Sequence, residues 1–134
     1  MHAFRAAVEA QDHEAMLACL APDVLFHSPV AFRPFDGREA AAGLFGQLLQ
    51  TFEDFEYTDE LEAADGTLAL IFRARVGDKA VEGLDVLRFG DDGLVKEFTV
   101  MIRPLSGIIA LGEAMTPVAS TLAKAGADAG HRPD

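Results

Sequence analysis

A chain of 134 residues, half of them apolar, suffices for one domain with its own hydrophobic core. Its 22 acidic against 11 basic residues leave a net charge of -11, which repels phosphate backbones and anionic lipid and argues against a nucleic-acid or membrane partner. The single cysteine, Cys19, excludes an intrachain disulfide and a cysteine-based zinc site. No apolar run approaches the roughly 18 residues of a membrane span. The N-terminus lacks a basic region followed by an apolar stretch, so no signal peptide is expected and the expected location is the cytoplasm.

Phe4 and Val8, then Met16, Leu17 and Leu20, carry helical periodicity with a break near Gln11-Asp12. Asp12 reads as an N-cap, so two helices in a hairpin are predicted, the second from about His13 to Leu20, with Cys19 as a small buried hydrophobe on its apolar face. Val24–Ser28 reads as a short strand stopped by Pro29, and residues 29–36 as an irregular crossing. Asp36 and Glu39 have capping-box spacing and predict a helix to about Thr51–Phe52, with Leu44, Phe45, Leu48, Leu49 and Phe52 as its apolar stripe. From Glu53 the period changes to two. Phe55, Tyr57 and Leu61 mark a strand, a turn follows at Asp65-Gly66, and residues 68–76 form a long strand with Leu68, Leu70, Phe72, Ala74 and Val76 on one face. Residues 105–125 read as a helical stretch kinked at Pro117, and residues 126–134 as a flexible tail.

Residues 79–104 read as two long strands joined by a turn at Gly90-Asp91-Asp92-Gly93. Val81, Gly83, Asp85, Leu87 and Phe89 share one face of the first; Phe98, Val100 and Ile102 make an apolar face on the second. Asp85 breaks that pattern. A buried acid costs several kcal/mol unless it is paired, hydrogen-bonded or protonated, which makes Asp85 the first candidate for chemistry. The element order is two helices, a strand, a helix, four strands in antiparallel hairpins and a helix. That is an α+β arrangement, with helices covering one face of a curved sheet whose open end can hold a ligand.

Several segments together resemble the nuclear transport factor 2-like (NTF2-like) superfamily and, within it, the SnoaL-like and ketosteroid isomerase-like bacterial proteins. They are the break at Ala10-Gln11-Asp12, Leu20-Ala21-Pro22-Asp23-Val24 leading into Phe26-His27-Ser28-Pro29-Val30, Phe35-Asp36-Gly37-Arg38-Glu39-Ala40, and Gly83-Leu84-Asp85-Val86-Leu87-Arg88-Phe89 with Gly93. The resemblance spans roughly residues 1–104. It implies a cone-shaped, curved antiparallel or mixed sheet packed against N-terminal helices, a cystatin-like roll with a C-terminal helix, as one domain over residues 1–125. It also implies a homodimer, as do Ile71, Leu84 and Val86 on the second sheet face. The isomerases of this superfamily use an Asp base, an oxyanion Tyr and a protonated Asp. Aligned by the resemblance, these fall on Ser28, Phe4 and Asp85. Serine cannot take the proton unaided and a phenyl ring cannot donate a hydrogen bond, so steroid isomerisation by that set is not expected.

The candidate catalytic residues are Asp85, His27 and Ser28. Asp85 reads either as a pocket acid with a raised pKa or as an acid satisfied by its neighbours. His27 and Ser28 lie on opposite faces of their strand, and alternation alone leaves open which one looks inward, although Phe26 would accompany Ser28. Phe4, Val8, Phe26, Phe45, Leu48, Phe72, Leu87, Phe98 and Val100 would line a pocket for a small hydrophobic ligand, or simply be core. Arg73, Arg75, Arg88, Glu82 and Glu97 fit cross-strand ion pairs on the outer face, with Met101 and Arg103 as possible rim residues. His2, His13 and His131 have no metal-site spacing and the glycines form no phosphate loop, so no metal and no cofactor are expected. Two readings follow. One is a cofactor-independent isomerase, cyclase or lyase with Asp85 and His27 in proton transfer; the other is a non-catalytic ligand-binding or assembly module whose cone is filled by side chains.

Overall fold

A computed structural model describes residues 1–115. Pro117, Val118, Leu122 and the expected tail at 126–134 lie outside the described residues. Helix α1 (Ala3–Glu9) and helix α2 (His13–Ala18) form the predicted hairpin, and the Asp12 carboxylate accepts from the Ala15 N–H at 3.1 Å as the N-cap of α2. Helix α2 is shorter than expected. Cys19 is its C-cap, half-buried against the core, and strand β1 begins at once and spans Leu20–His27. The strand therefore starts before the expected Val24 and includes Pro22. This proline falls in the part of β1 where the pairing register to the neighbouring strand shifts between Leu20 and Leu25, so no ladder N–H is needed from it.

The crossing after Pro29 contains a two-residue strand, β2 (Phe35–Asp36), antiparallel to β1 with Phe26 opposite Phe35. Asp36 therefore belongs to a ladder and is not the N-cap. Helix α3 (Arg38–Thr51) starts instead from Gly37, at φ 104°, without a side-chain cap. The remaining strands run as expected: β3 (Glu53–Glu62), β4 (Leu68–Val76), β5 (Lys79–Phe89) and β6 (Val95–Arg103). They form one mixed six-stranded sheet in the order β2-β1-β6-β5-β4-β3, in which only β1 and β6 pair in parallel.

One face of the sheet carries the core. Strict alternation buries Leu68, Leu70, Phe72, Ala74 and Val76 on β4 and Val81, Gly83, Asp85 and Leu87 on β5. Phe4 from α1 and Leu44, Phe45 and Leu48 from α3 close over them, and residues 105–115, which are helical, add Leu111 and Met115 while leaving Leu105 and Ile109 exposed. The opposite face is laced by the expected ion pairs: Arg73 with Glu82, Glu82 with Arg103 and Arg88 with Glu97, each between cross-strand neighbours.

Gly83 has a specific packing role. It lies opposite Phe72 in the ladder, and a Cβ there would come within 2.1 Å of the Phe72 ring. Gly43 on the exposed side of α3 has nothing within 4 Å of such a Cβ. Gly83→Ala should destabilise the fold by roughly 1–3 kcal/mol through overpacking. Gly43→Ala should stabilise it by roughly 0.5–1 kcal/mol through helix propensity. Urea denaturation of the two variants checks both signs.

Candidate active site

The site is built from three adjacent strands. Register places Tyr57 of β3 opposite Phe72 of β4, Phe72 opposite Gly83 of β5, and Asp85 one inward step along β5, opposite Leu70. Because Gly83 has no side chain, the Phe72 ring lies down over β5. The Tyr57 phenol reaches diagonally across β4, and its hydroxyl donates to Asp85 Oδ2 at 2.9 Å. Asp85 is wholly buried, the single buried charged residue among the described ones, and its Oδ1 has no hydrogen-bond partner there.

The electrostatics follow from that burial. Loss of hydration raises the Asp85 pKa to about 7, and the Tyr57 hydrogen bond pulls it back less strongly. Burial, then the charge of Asp85, pushes the Tyr57 phenol far above its ordinary range, so it stays a neutral donor. At neutral pH Asp85 therefore exists in both forms, as acid–base chemistry requires.

The other two candidate catalytic residues are elsewhere. Phe26 and Phe98 are opposite each other and buried in the core, so His27 and its partner Thr99 face the outer side of the sheet. His27 Nε2 lies 2.9 Å from Glu97 Oε2. Ser28 follows the end of β1, where its Oγ accepts from the Val30 N–H at 3.2 Å. Both line an outer cavity of ≈780 Å³ with Phe32, Arg88, Thr99 and Met101. The structure thus does not bring His27 or Ser28 together with Asp85, and a proton relay between His27 and Asp85 would have to cross the sheet.

The nine expected pocket-lining residues are all buried. Phe4, Phe26 and Phe45 surround Phe98 with ring centroids 5.2, 5.1 and 4.8 Å from it, which packs the β1–β6 side of the cone solid. Leu48, Phe72 and Leu87 belong to the same core, while Val100 reaches the outer cavity and Val8 a third space. That space, ≈680 Å³, lies between the α1–α2 corner, the end of α3 and the start of β3, with Tyr57 in its wall. Among the described residues no three His, Cys, Asp or Glu side chains converge on a metal position, and no helix is long and apolar enough to cross a membrane.

Tyr57 is the residue that sequence reasoning placed on a strand without giving it a role. A signal existed. It is the sole tyrosine, it alternates in phase with Phe55, and a phenol on a buried face needs an acceptor.

The raised pKa has a consequence for stability. The folded protein holds the Asp85 proton up to about pH 7, whereas the unfolded chain releases it near 3.9. Stability from this group is full below about pH 4, falls as pH rises to about 7 and is flat above, a total of roughly 4 kcal/mol. Asp85→Asn should lack that fall, so the difference in unfolding free energy between wild type and variant should shift in the variant's favour between pH 4 and 7.

The SnoaL-like domain family matches residues 1–98. A steroid delta-isomerase from Pseudomonas aeruginosa is 40% identical, with 90% of this chain and 89% of that one aligned at a TM-score of 0.82. An uncharacterized protein with a cystatin-like fold, conserved in bacteria and taken from Silicibacter pomeroyi, is 29% identical over 89% of this chain and 84% of that one, at a TM-score of 0.81. A SnoaL-like protein of unknown function from Burkholderia thailandensis shares the fold at 22% identity, with 76% and 90% of the chains aligned and a TM-score of 0.62. No curated protein matches. The chain belongs to the SnoaL-like domain family, within the NTF2-like, ketosteroid isomerase-like fold.

Proposed function

We propose that this SnoaL-like domain takes up a small hydrophobic molecule with one oxygen function and moves a proton on it without a cofactor, as an isomerase, cyclase or lyase does. One observation carries the reading: the Oδ1 of a wholly buried carboxyl has no partner, while Tyr57 occupies Oδ2. In the neutral acid the proton then sits on Oδ1, free to be donated to a ligand carbonyl or enol oxygen. In the carboxylate the same oxygen accepts a proton. Likeness to a steroid delta-isomerase supports an apolar carbonyl compound as the substrate class. With Phe4 and Ser28 at the other two positions, the reaction rests on Asp85 backed by Tyr57. The packed Phe4, Phe26, Phe45 and Phe98 rings favour a second reading, a module that binds its ligand without converting it.

A neutral phenol, 2-naphthol, mimics an enol and tests the site by its own fluorescence. Binding to wild type should weaken at least tenfold in Asp85→Leu, on the order of one lost buried hydrogen bond. Equal binding to a folded Asp85→Leu protein, or none to wild type, would contradict the proposal. Conjugation of a β,γ-unsaturated ketone, followed by absorbance, then separates the two readings: Asp85-dependent turnover selects the enzyme, and binding without turnover selects the binding module.

We also propose that a second copy covers the outer sheet face. Ile71, Leu84 and Met101 are successive cross-strand partners and form an apolar row across three strands, with Met101 53% exposed. Phe32, 93% exposed, stands beside the row at the outer cavity. Sedimentation should show a dimer at micromolar concentration and a monomer for Met101→Asp combined with Phe32→Asp. A wild-type monomer would refute this.

A further inference from the structure

We propose that Tyr57 is a gate and that, given Asp85 as the group that meets the ligand in the reading above, the ligand reaches it by way of the ≈680 Å³ cavity at the α1–α2 corner. Asp85 is wholly buried with one oxygen unpartnered, so no ligand meets it unless a side chain moves. Tyr57 belongs to both spaces. Its ring lines the cavity, and its hydroxyl holds Asp85 Oδ2 at 2.9 Å.

The neighbours of the acid are not equally free to move. Leu70 and Val100 lie opposite Asp85 and Leu87 one inward step along β5, all buried, on strands that are each paired on both sides. Displacing any of them disturbs two ladders and a close-packed core. Tyr57 instead stands on β3, an edge strand with one neighbour, and its ladder is interrupted on both sides of it. Glu53–Glu56 faces Arg73–Arg75, and Tyr57–Asp59 faces Ile71–Phe72, so each shift puts one extra residue on β3. Within the first shift Asp54 takes the left-handed conformation, at φ 54°. At the second, the Thr58 hydroxyl donates to the Ile71 carbonyl at 3.3 Å. An edge strand with two such interruptions yields more readily than a continuous central one.

Three contacts hold the ring. One is the bond to Asp85. Phe55 packs edge-on to it with centroids 5.0 Å apart. The Arg5 guanidinium of α1 covers it at 5.8 Å and is itself held by Glu9 at 3.2 Å and by Glu60 of β3 at 3.4 Å. Arg5 thus ties α1 to β3 over the ring. Its ion pairs are partly exposed, individually weak and screened by salt, which suits a latch that opens and re-forms. The cavity gives the ring space to turn into. Opening breaks the Tyr57–Asp85 bond and admits the ligand; closing restores it at Oδ2 and leaves Oδ1 to the ligand.

Stopped-flow fluorescence of 2-naphthol mixed with the full chain tests the gate. The observed rate should level off with rising 2-naphthol, at the rate of opening. Tyr57→Phe keeps the ring and removes the hydrogen bond, so the plateau should rise about fivefold or more. Arg5→Gln should raise it about twofold, and added salt should raise it in wild type but not in Arg5→Gln. Gly46 of α3 lines the cavity, and a Cβ there meets nothing nearer than the His13 ring at 4.0 Å. Gly46→Leu should therefore fold normally, narrow the cavity and lower the plateau about threefold. Asp85-dependent binding that shows no plateau, or whose plateau Tyr57→Phe leaves unmoved, would overturn the gate and leave the role of Asp85 standing. A plateau unmoved in a folded Gly46→Leu protein would overturn the route through the cavity. No binding to wild type, or equal binding to Asp85→Leu, would overturn the gate and the role of Asp85 together.

Discussion

A carboxyl taken wholly out of water must be neutralised, paired or hydrogen-bonded, and around Asp85 the fold meets that demand with one phenol. The Tyr57–Asp85 hydrogen bond ties β3 to β5 across β4. It constrains the rest of the interior: Phe72 must lie flat, which needs glycine at position 83, and the strands must hold their register for the diagonal reach to work. Only one carboxyl oxygen is satisfied in this way. The other keeps an unmet demand inside the core, and a purely structural acid would gain from having both oxygens bonded.

The two faces of the sheet divide the chemistry. Inside are the acid, its phenol and a phenylalanine cluster. Outside are the His27–Glu97 contact, the ion-pair lattice and an apolar row. A single-residue step along a strand decides which side a group serves, so His27 and Phe26 have unrelated roles although they are neighbours in the chain. The helix corner adds a third space, lined by Phe52, Phe55 and Tyr57, which borders the same core.

Much of this was legible from residue order. Period-two alternation over 68–76 and 79–89 placed every inward side chain of β4 and β5, Asp85 included, and Asp12 marked the start of α2. The failures have physical causes. The strand was expected to begin at Val24, after Pro22, but a register shift lets β1 start at Leu20 and run through the proline. Asp36 has capping-box spacing, yet two residues opposite β1 claimed it for a ladder too short to show a period. The alternation of β1 linked Ser28 to Phe26 but could not say which face was the core until Phe98 was seen across from Phe26. Tyr57 and Asp85 each fall on an inward face by pattern. Their meeting depends on the pairing of three strands and the diagonal reach of one ring, and periodicity carries no information about either.

The central claim is that Asp85 is a dry acid, bonded at one oxygen by Tyr57 and poised near neutrality. Carboxyl-carbon NMR of the side-chain resonance of Asp85, assigned by loss in Asp85→Asn, tests this directly. The account predicts a midpoint near pH 7 in wild type, moved upward in Tyr57→Phe because the bond that favours the carboxylate is removed. A midpoint near the ordinary value of about 3.9, unmoved by Tyr57→Phe, would contradict it.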